Sequence, residues 1–158
     1  MNNTFKLVTS IAVCQLTGLL GSVFTASSVD TWYTALARPA FSPPNWVFGP
    51  VWTTLFVLMG VAGFLVWREG VHRRAVRVAL AIGIGQLVLN FLWSVLFFGL
   101  RNPGAAFVEI VILWLAILAT IIAFARVSRT AAWLLVPYIL WVSFASYLNY
   151  GIWIANAV

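Results

Sequence analysis

Charge is what this sequence most conspicuously lacks. Three acidic and nine basic residues are all that 158 positions carry, 8% in total, and a water-soluble domain of that size cannot cover its surface with so few. Cysteine occurs once, as Cys14, which excludes an internal disulfide and any cysteine-based metal cluster. Histidine also occurs once, as His72, in a polar gap among arginines. No Ser–His or Cys–His pair can therefore be built in the apolar part of the chain, and no His/Cys/Asp/Glu grouping offers a metal site. The apolar runs do not alternate with period two, so barrel strands are excluded. No internal repeat is present, which removes support for an inverted-repeat transporter. What remains is a chain that is 63% apolar with a mean hydropathy of +1.03. Lipid solvates such side chains but leaves backbone groups to pair internally, which dictates helices. The net charge of +6 reflects topology rather than nucleic-acid binding.

A helix needs about 20 apolar residues to cross the roughly 30 Å of hydrocarbon. Five runs meet that length, about Leu7–Thr25, Trp46–Trp67, Val76–Leu100, Pro103–Ala125 and Ala131–Ala155. The sequence thus predicts an all-α membrane protein, one domain over residues 1–158, built as a five-helix transmembrane bundle. The first run has a weak basic flank and is long for a signal-peptide core, so it is read as a retained helix. Lys6, Arg68, Arg73, Arg74, Arg77, Arg126 and Arg129 fall on one side of this topology, Arg38 and Arg101 on the other. That asymmetry places the N-terminus inside and the C-terminus outside, in a bacterial cytoplasmic membrane. Asn102-Pro103 reads as an N-cap with proline at the first helical position. Pro50 is early enough in its helix to be tolerated, whereas Pro137 removes a hydrogen bond to the Trp133 carbonyl and should kink the fifth helix.

The segment Asp30–Trp46 is too long for a simple hairpin and is rich in aromatic residues and proline. Pro39, Pro43 and Pro44 lower the entropy lost on ordering. Trp32, Tyr33, Phe41 and Trp46 supply apolar area, and Arg38 stands among them. An ordered lid over the bundle is expected; an interfacial aromatic belt is the plainer alternative.

At this loop a resemblance becomes specific. Trp32-Tyr33, Leu36, Arg38-Pro39, Phe41, Pro43-Pro44, Trp46 and Trp52-Thr-Thr-Leu-Phe56 resemble the hallmark segment of the TspO/MBR family. Asn90-Phe-Leu-Trp93-Ser94 with Phe97-Phe98, Trp133 to Trp141, and Ala145-Ser-Tyr147-Leu-Asn149 continue it in the family's order across nearly the whole chain. The resemblance implies a receptor or sensor, commonly a homodimer, with a pocket under the loop between helices one and two. It implies tetrapyrrole ligands such as protoporphyrin IX and haem, benzodiazepine-type drugs, and in some bacterial members light- and oxygen-dependent porphyrin degradation. By the same resemblance Trp52 and Trp141 match the tryptophans linked to that chemistry. No cofactor is required. The family's proposed sterol motif needs a basic residue after its C-terminal tyrosine, and none follows Arg129 here, so sterol binding is not assigned.

The residues themselves lead partway to the same place. Gln86, Asn90 and Ser94 make one polar stripe on the third helix. Polar groups at membrane depth face protein or a cavity, so Asn90 is either a ligand contact or an interhelical hydrogen bond. Trp93 and Phe97 flank it. Tyr138, Trp141, Ala145 and Asn149 share a face of the fifth helix. With Trp52, Phe56 and Tyr33 they would form an aromatic slot that holds a flat macrocycle by stacking. Arg38 is then a propionate partner or a headgroup anchor. Glu109, the one acid inside a span, is read as snorkelling to the interface near its helix start, with a proton-coupled transporter as the alternative role. A membrane scaffold is a further alternative. Ala79/Gly83 and Ala81/Gly85 are interleaved small-xxx-small pairs suited either to a dimer interface or to packing within one bundle.

Overall fold

The computed structural model describes residues 1–157. Five helical segments are long and apolar enough to cross a membrane, namely Asn3–Tyr33, Asn45–Trp67, Arg74–Gly99, Pro103–Ala125 and Arg129–Asn156. Within them the regular α-helices are α1 (Asn3–Ser28), α2 (Phe48–Trp67), α3 (Arg74–Ser94), α4 (Pro103–Ala125), α5 (Arg129–Leu134) and α6 (Val136–Asn156). The chain is an integral membrane protein.

The helix ends follow local chemistry. Asn2 caps α1 through its side chain, which accepts from the Phe5 N–H at 2.8 Å. Asn102 does the same for Ala105 at 3.0 Å, with Pro103 behind it, as its sequence predicts. The last span breaks at Leu135, two residues before Pro137, so the expected kink divides it into α5 and α6. Two ends differ from expectation. α1 is longer than residues 7–25 and continues as a π-helical turn, Val29–Tyr33, so Trp32 and Tyr33 belong to a helical extension rather than to a free loop. α3 likewise ends in a π-helical turn, Val95–Gly99, closed by Leu100 N–H to Val95 O at 2.7 Å. The two π turns lie side by side, and the Ser28 hydroxyl donates to the Phe98 carbonyl at 2.8 Å to join them. Arg101 then takes a φ of 53°, unusual for a non-glycine residue, and its Nε reaches the Ser28 hydroxyl at 3.4 Å.

α1 packs along α2, α3 along α4, and α4 along α6. On α4 the inward positions are Ala106, Glu109, Ile110, Leu113, Ile117, Thr120 and Phe124, a three- and four-residue rhythm that faces the bundle interior. α2 and α6 make no extended backbone approach to each other, and the gap between them is filled by side chains and by the cavity described below. One end of the bundle carries the segment Thr34–Pro44; the other, here called the basic end, carries the connections that hold most of the arginines.

Candidate functional site

Beneath the Thr34–Pro44 segment lies a cavity of about 140 Å³, walled by α1, α2, α3 and α6. Tyr33, Trp52, Phe56, Asn90, Trp93, Phe97, Trp141 and Ala145, all anticipated from the sequence, line it together. Tyr138 does not. It stands behind the wall, 1% exposed, with its ring edge-on to Trp52 at 6.2 Å.

The role of Tyr138 is structural. Asn90 Nδ2 donates to its hydroxyl at 2.7 Å, and the hydroxyl donates to Gln86 Oε1 at 2.7 Å. The chain ties α3 to α6 and satisfies buried polar groups that would otherwise be costly in lipid. Asn90 therefore combines both readings of it: it makes an interhelical hydrogen bond and also borders the cavity, where its carbonyl oxygen and second N–H remain. Trp93 is fixed similarly, its indole N–H donating to Asn149 Oδ1 at 2.9 Å and its ring stacked on Phe97 at 5.0 Å. Asn149 in turn donates to the Pro103 carbonyl at 2.8 Å, linking α6 to α4. Trp141 is the exception: its indole nitrogen is buried and has no hydrogen-bond partner. Its ring packs edge-on to Phe48 at 6.0 Å.

The α1 wall was missed at the level of sequence. Thr17, Gly18, Gly21, Ser22 and Thr25 line the cavity from that side. Their spacing is a helical stripe of small residues, which is the signal that could have found them. Its physical reason is close approach. A Cβ on Gly18 would stand 2.7 Å from the Phe56 ring, and one on Gly21 would stand 3.1 Å from Ser94 Oγ.

Above the cavity Tyr33 is 3% exposed, packed against Phe48, Phe97 and Phe98. Trp32 sits edge-on to Phe97 at 5.6 Å. Arg38 lies over the outer side of the Tyr33 ring, 4.9 Å from its centroid, and its guanidinium donates to Asn45 Oδ1 at 3.4 Å. The segment is latched to the last turn of α6: Ala37 N–H donates to Asn156 Oδ1 at 3.1 Å, and Asn156 Nδ2 donates to the Ala37 carbonyl at 2.8 Å. Pro39 packs over Gly151 so closely that a Cβ there would stand 2.5 Å from the proline ring. Part of the expected lid does not pack down. Phe41 is 78% and Trp46 74% exposed, and these rings suit the aromatic belt of the membrane interface. Pro43 and Pro44 shape a shallow cleft beside Trp46.

One further expectation needs correction, and one alternative can be divided. Glu109 does not snorkel: it is 5% exposed, faces the bundle interior, and both carboxyl oxygens lack a hydrogen-bond partner. Its place on the inward stripe of α4 explains this, because the helix face, not the distance from the end, decides its surroundings. Of the small pairs on α3, Ala79 is fully buried and Gly83 packs against Phe124, so that pair serves packing within the bundle. Ala81 and Gly85 remain on the outer surface, with no neighbour near Gly85, and are free to meet a second copy.

Residues 10–154 match the TspO/MBR family. The chain belongs to that family. It is 47% identical over 146 residues to the tryptophan-rich protein TspO of Chlorobaculum tepidum, covering 92% of each chain. It is also 47% identical over 155 residues to the tryptophan-rich protein TspO of Archaeoglobus fulgidus, covering 98% of this chain and 99% of the relative. The translocator protein of Homo sapiens is 43% identical over 139 residues, with 87% of this chain and 82% of the relative covered. These TspO/MBR relatives span a bacterium, an archaeon and a mammal, so membership by itself selects no particular membrane.

Proposed function

We propose that this TspO/MBR protein is a membrane receptor for tetrapyrroles such as protoporphyrin IX or haem, held in the aromatic cavity beneath the latched Thr34–Pro44 segment. The observation that carries the reading is the wall itself. Trp52, Phe56, Trp93, Phe97 and Trp141 converge on one space, and the buried Trp141 N–H still lacks an acceptor. Flat apolar ligands bind such walls by stacking, with a few polar groups setting orientation. Arg38, exposed and 4.9 Å from the centroid of the cavity-lining Tyr33 ring, is the cation offered to a propionate.

At about 140 Å³ the cavity is closed to a ligand of that size, since drug-sized molecules occupy roughly 300–1,000 Å³. Binding must therefore displace the lid segment or the α1 wall. Trp52 and Trp141 facing the same space is what supports light-dependent porphyrin breakdown as an added property. The same walls suit benzodiazepine-type drugs. Proton-coupled transport through Glu109 has less behind it, because its carboxyl does not line the cavity. A homodimer through Ala81 and Gly85, in a bacterial cytoplasmic membrane with the basic end inside, completes the proposal.

The test is a titration of purified protein with protoporphyrin IX in darkness and under light, followed by tryptophan fluorescence and porphyrin absorbance. Saturable quenching is expected, weakened by Trp141→Phe and abolished by the cavity-filling Ala145→Phe. Bleaching lost in Trp141→Phe would add chemistry to binding. Absence of saturable quenching in the wild type would remove tetrapyrroles and leave the scaffold role.

A further inference from the structure

A second cavity opens toward the basic end, between α1, α2, α3 and α4. At about 300 Å³ it is larger than the one under the lid. Cys14, Met59 and Leu87 form its buried floor, while Val13 and Ile84 at its rim are 47% and 60% exposed. That rim lies within the spans, so the cleft opens sideways into hydrocarbon. Gly63 and Gly83 also line it, packed against Ser10 and Phe124.

The charge at its end is what names an occupant. Trp67 lines the cleft at the basic end, and Lys6 Nζ stands 6.0 Å from its ring centroid. Lys6 lies one turn before Thr9 and Ser10, which also line the cleft. On α3, Arg77 lies one turn before Leu80 and donates to the carbonyls of Val71 and His72, both at 2.9 Å. Among the described residues neither cation meets an acid; Glu69 instead faces Arg68 and Arg73, each at 3.7 Å. A hydrocarbon trough ending in unneutralised positive charge at the interface matches the layout of an anionic phospholipid.

We propose that this cleft binds one anionic phospholipid, with an acyl chain along Cys14, Met59 and Leu87 and its phosphate at Lys6. The site is separate from the tetrapyrrole cavity and stands or falls without it. Cys14, the chain's single thiol, lies in the floor and reports occupancy directly.

The experiment uses delipidated full-length protein in detergent. Native mass spectrometry counts retained dioleoylphosphatidylglycerol or dioleoylphosphatidylcholine, and N-ethylmaleimide alkylation of Cys14 is timed with each lipid. One phosphatidylglycerol should be held in preference to phosphatidylcholine and should slow alkylation. Lys6→Ala, a change at the end of α1 outside the core, should cut phosphatidylglycerol retention about fivefold and leave phosphatidylcholine unaffected. Ile84→Trp at the rim should weaken both. Equal retention of the two lipids, indifference to Lys6→Ala, or alkylation insensitive to phosphatidylglycerol would each overturn the proposal. So would protection of Cys14 that follows protein concentration rather than lipid, because a second copy would then be covering the cleft.

Discussion

The two ends of this bundle are built from different materials. At the basic end Val66, Val76, Ala79 and Ala131 are fully buried, with Phe124 the aromatic among them, and short connections join the helices. At the lid end the interior is aromatic, with Tyr33, Trp93, Phe97 and Phe98 in mutual contact, and two helices finish in π turns. Small residues allow backbones to approach and leave few alternative arrangements. Rings held by edge contacts and a pair of exposed hydrogen bonds leave more ways to move. The contrast is one of packing: close backbone approach of the helices at one end, ring-on-ring contacts beneath a hydrogen-bonded latch at the other.

The sharpest way to break the comparison is at Gly60, where a Cβ would stand 2.5 Å from the backbone of Ile11. Gly60→Ala must push α1 from α2 and should cost about 1–3 kcal/mol or more, read as a fall in thermal unfolding temperature in detergent. Gly18→Ala meets only the Phe56 ring and should cost less; an equal loss would mean that the lid end is as rigid as the base. Next in size is Tyr138→Phe, which leaves Gln86 and Asn90 without their shared hydroxyl. A loss of about 1–2 kcal/mol in the same measurement is expected. Asn156→Ala removes the latch at an accessible site, so stability should fall by only about 0.5–1 kcal/mol. Protoporphyrin association and dissociation, followed by stopped-flow fluorescence, should both accelerate in that variant. Unchanged rates would show that the lid is not the barrier to entry. Smallest of all, Gly85→Leu should leave monomer stability within about 0.5 kcal/mol while changing the dimer fraction seen by cross-linking.

The fold was legible because its signal is long: five apolar runs separated by charged or proline-rich gaps admit little else. Much of the cavity was legible too, since the aromatic faces of α2 and α6 and the polar stripe of α3 have helical spacing. What escaped depends on finer registers. A shift from α to π hydrogen bonding leaves no mark on hydropathy, so the extension carrying Trp32 and Tyr33 was read as loop. Glu109 was placed by its distance from a helix end, although the rhythm of Ala106, Ile110 and Leu113 already put it inside. Tyr138 and Trp141 share a helix face, yet a difference of three residues sets one behind the wall and the other in it.

The reciprocal pair of hydrogen bonds between Ala37 and Asn156 has a practical side. The latch lies in the last turn of α6, so a reporter group attached within that turn sits on the contact that ties down the Thr34–Pro44 segment. Tension or bulk there acts on the lid, 119 residues away in sequence. A group carried in the last turn of α6 and one carried in the first turn of α1 therefore do not perturb the same molecule, because only the first touches the lid.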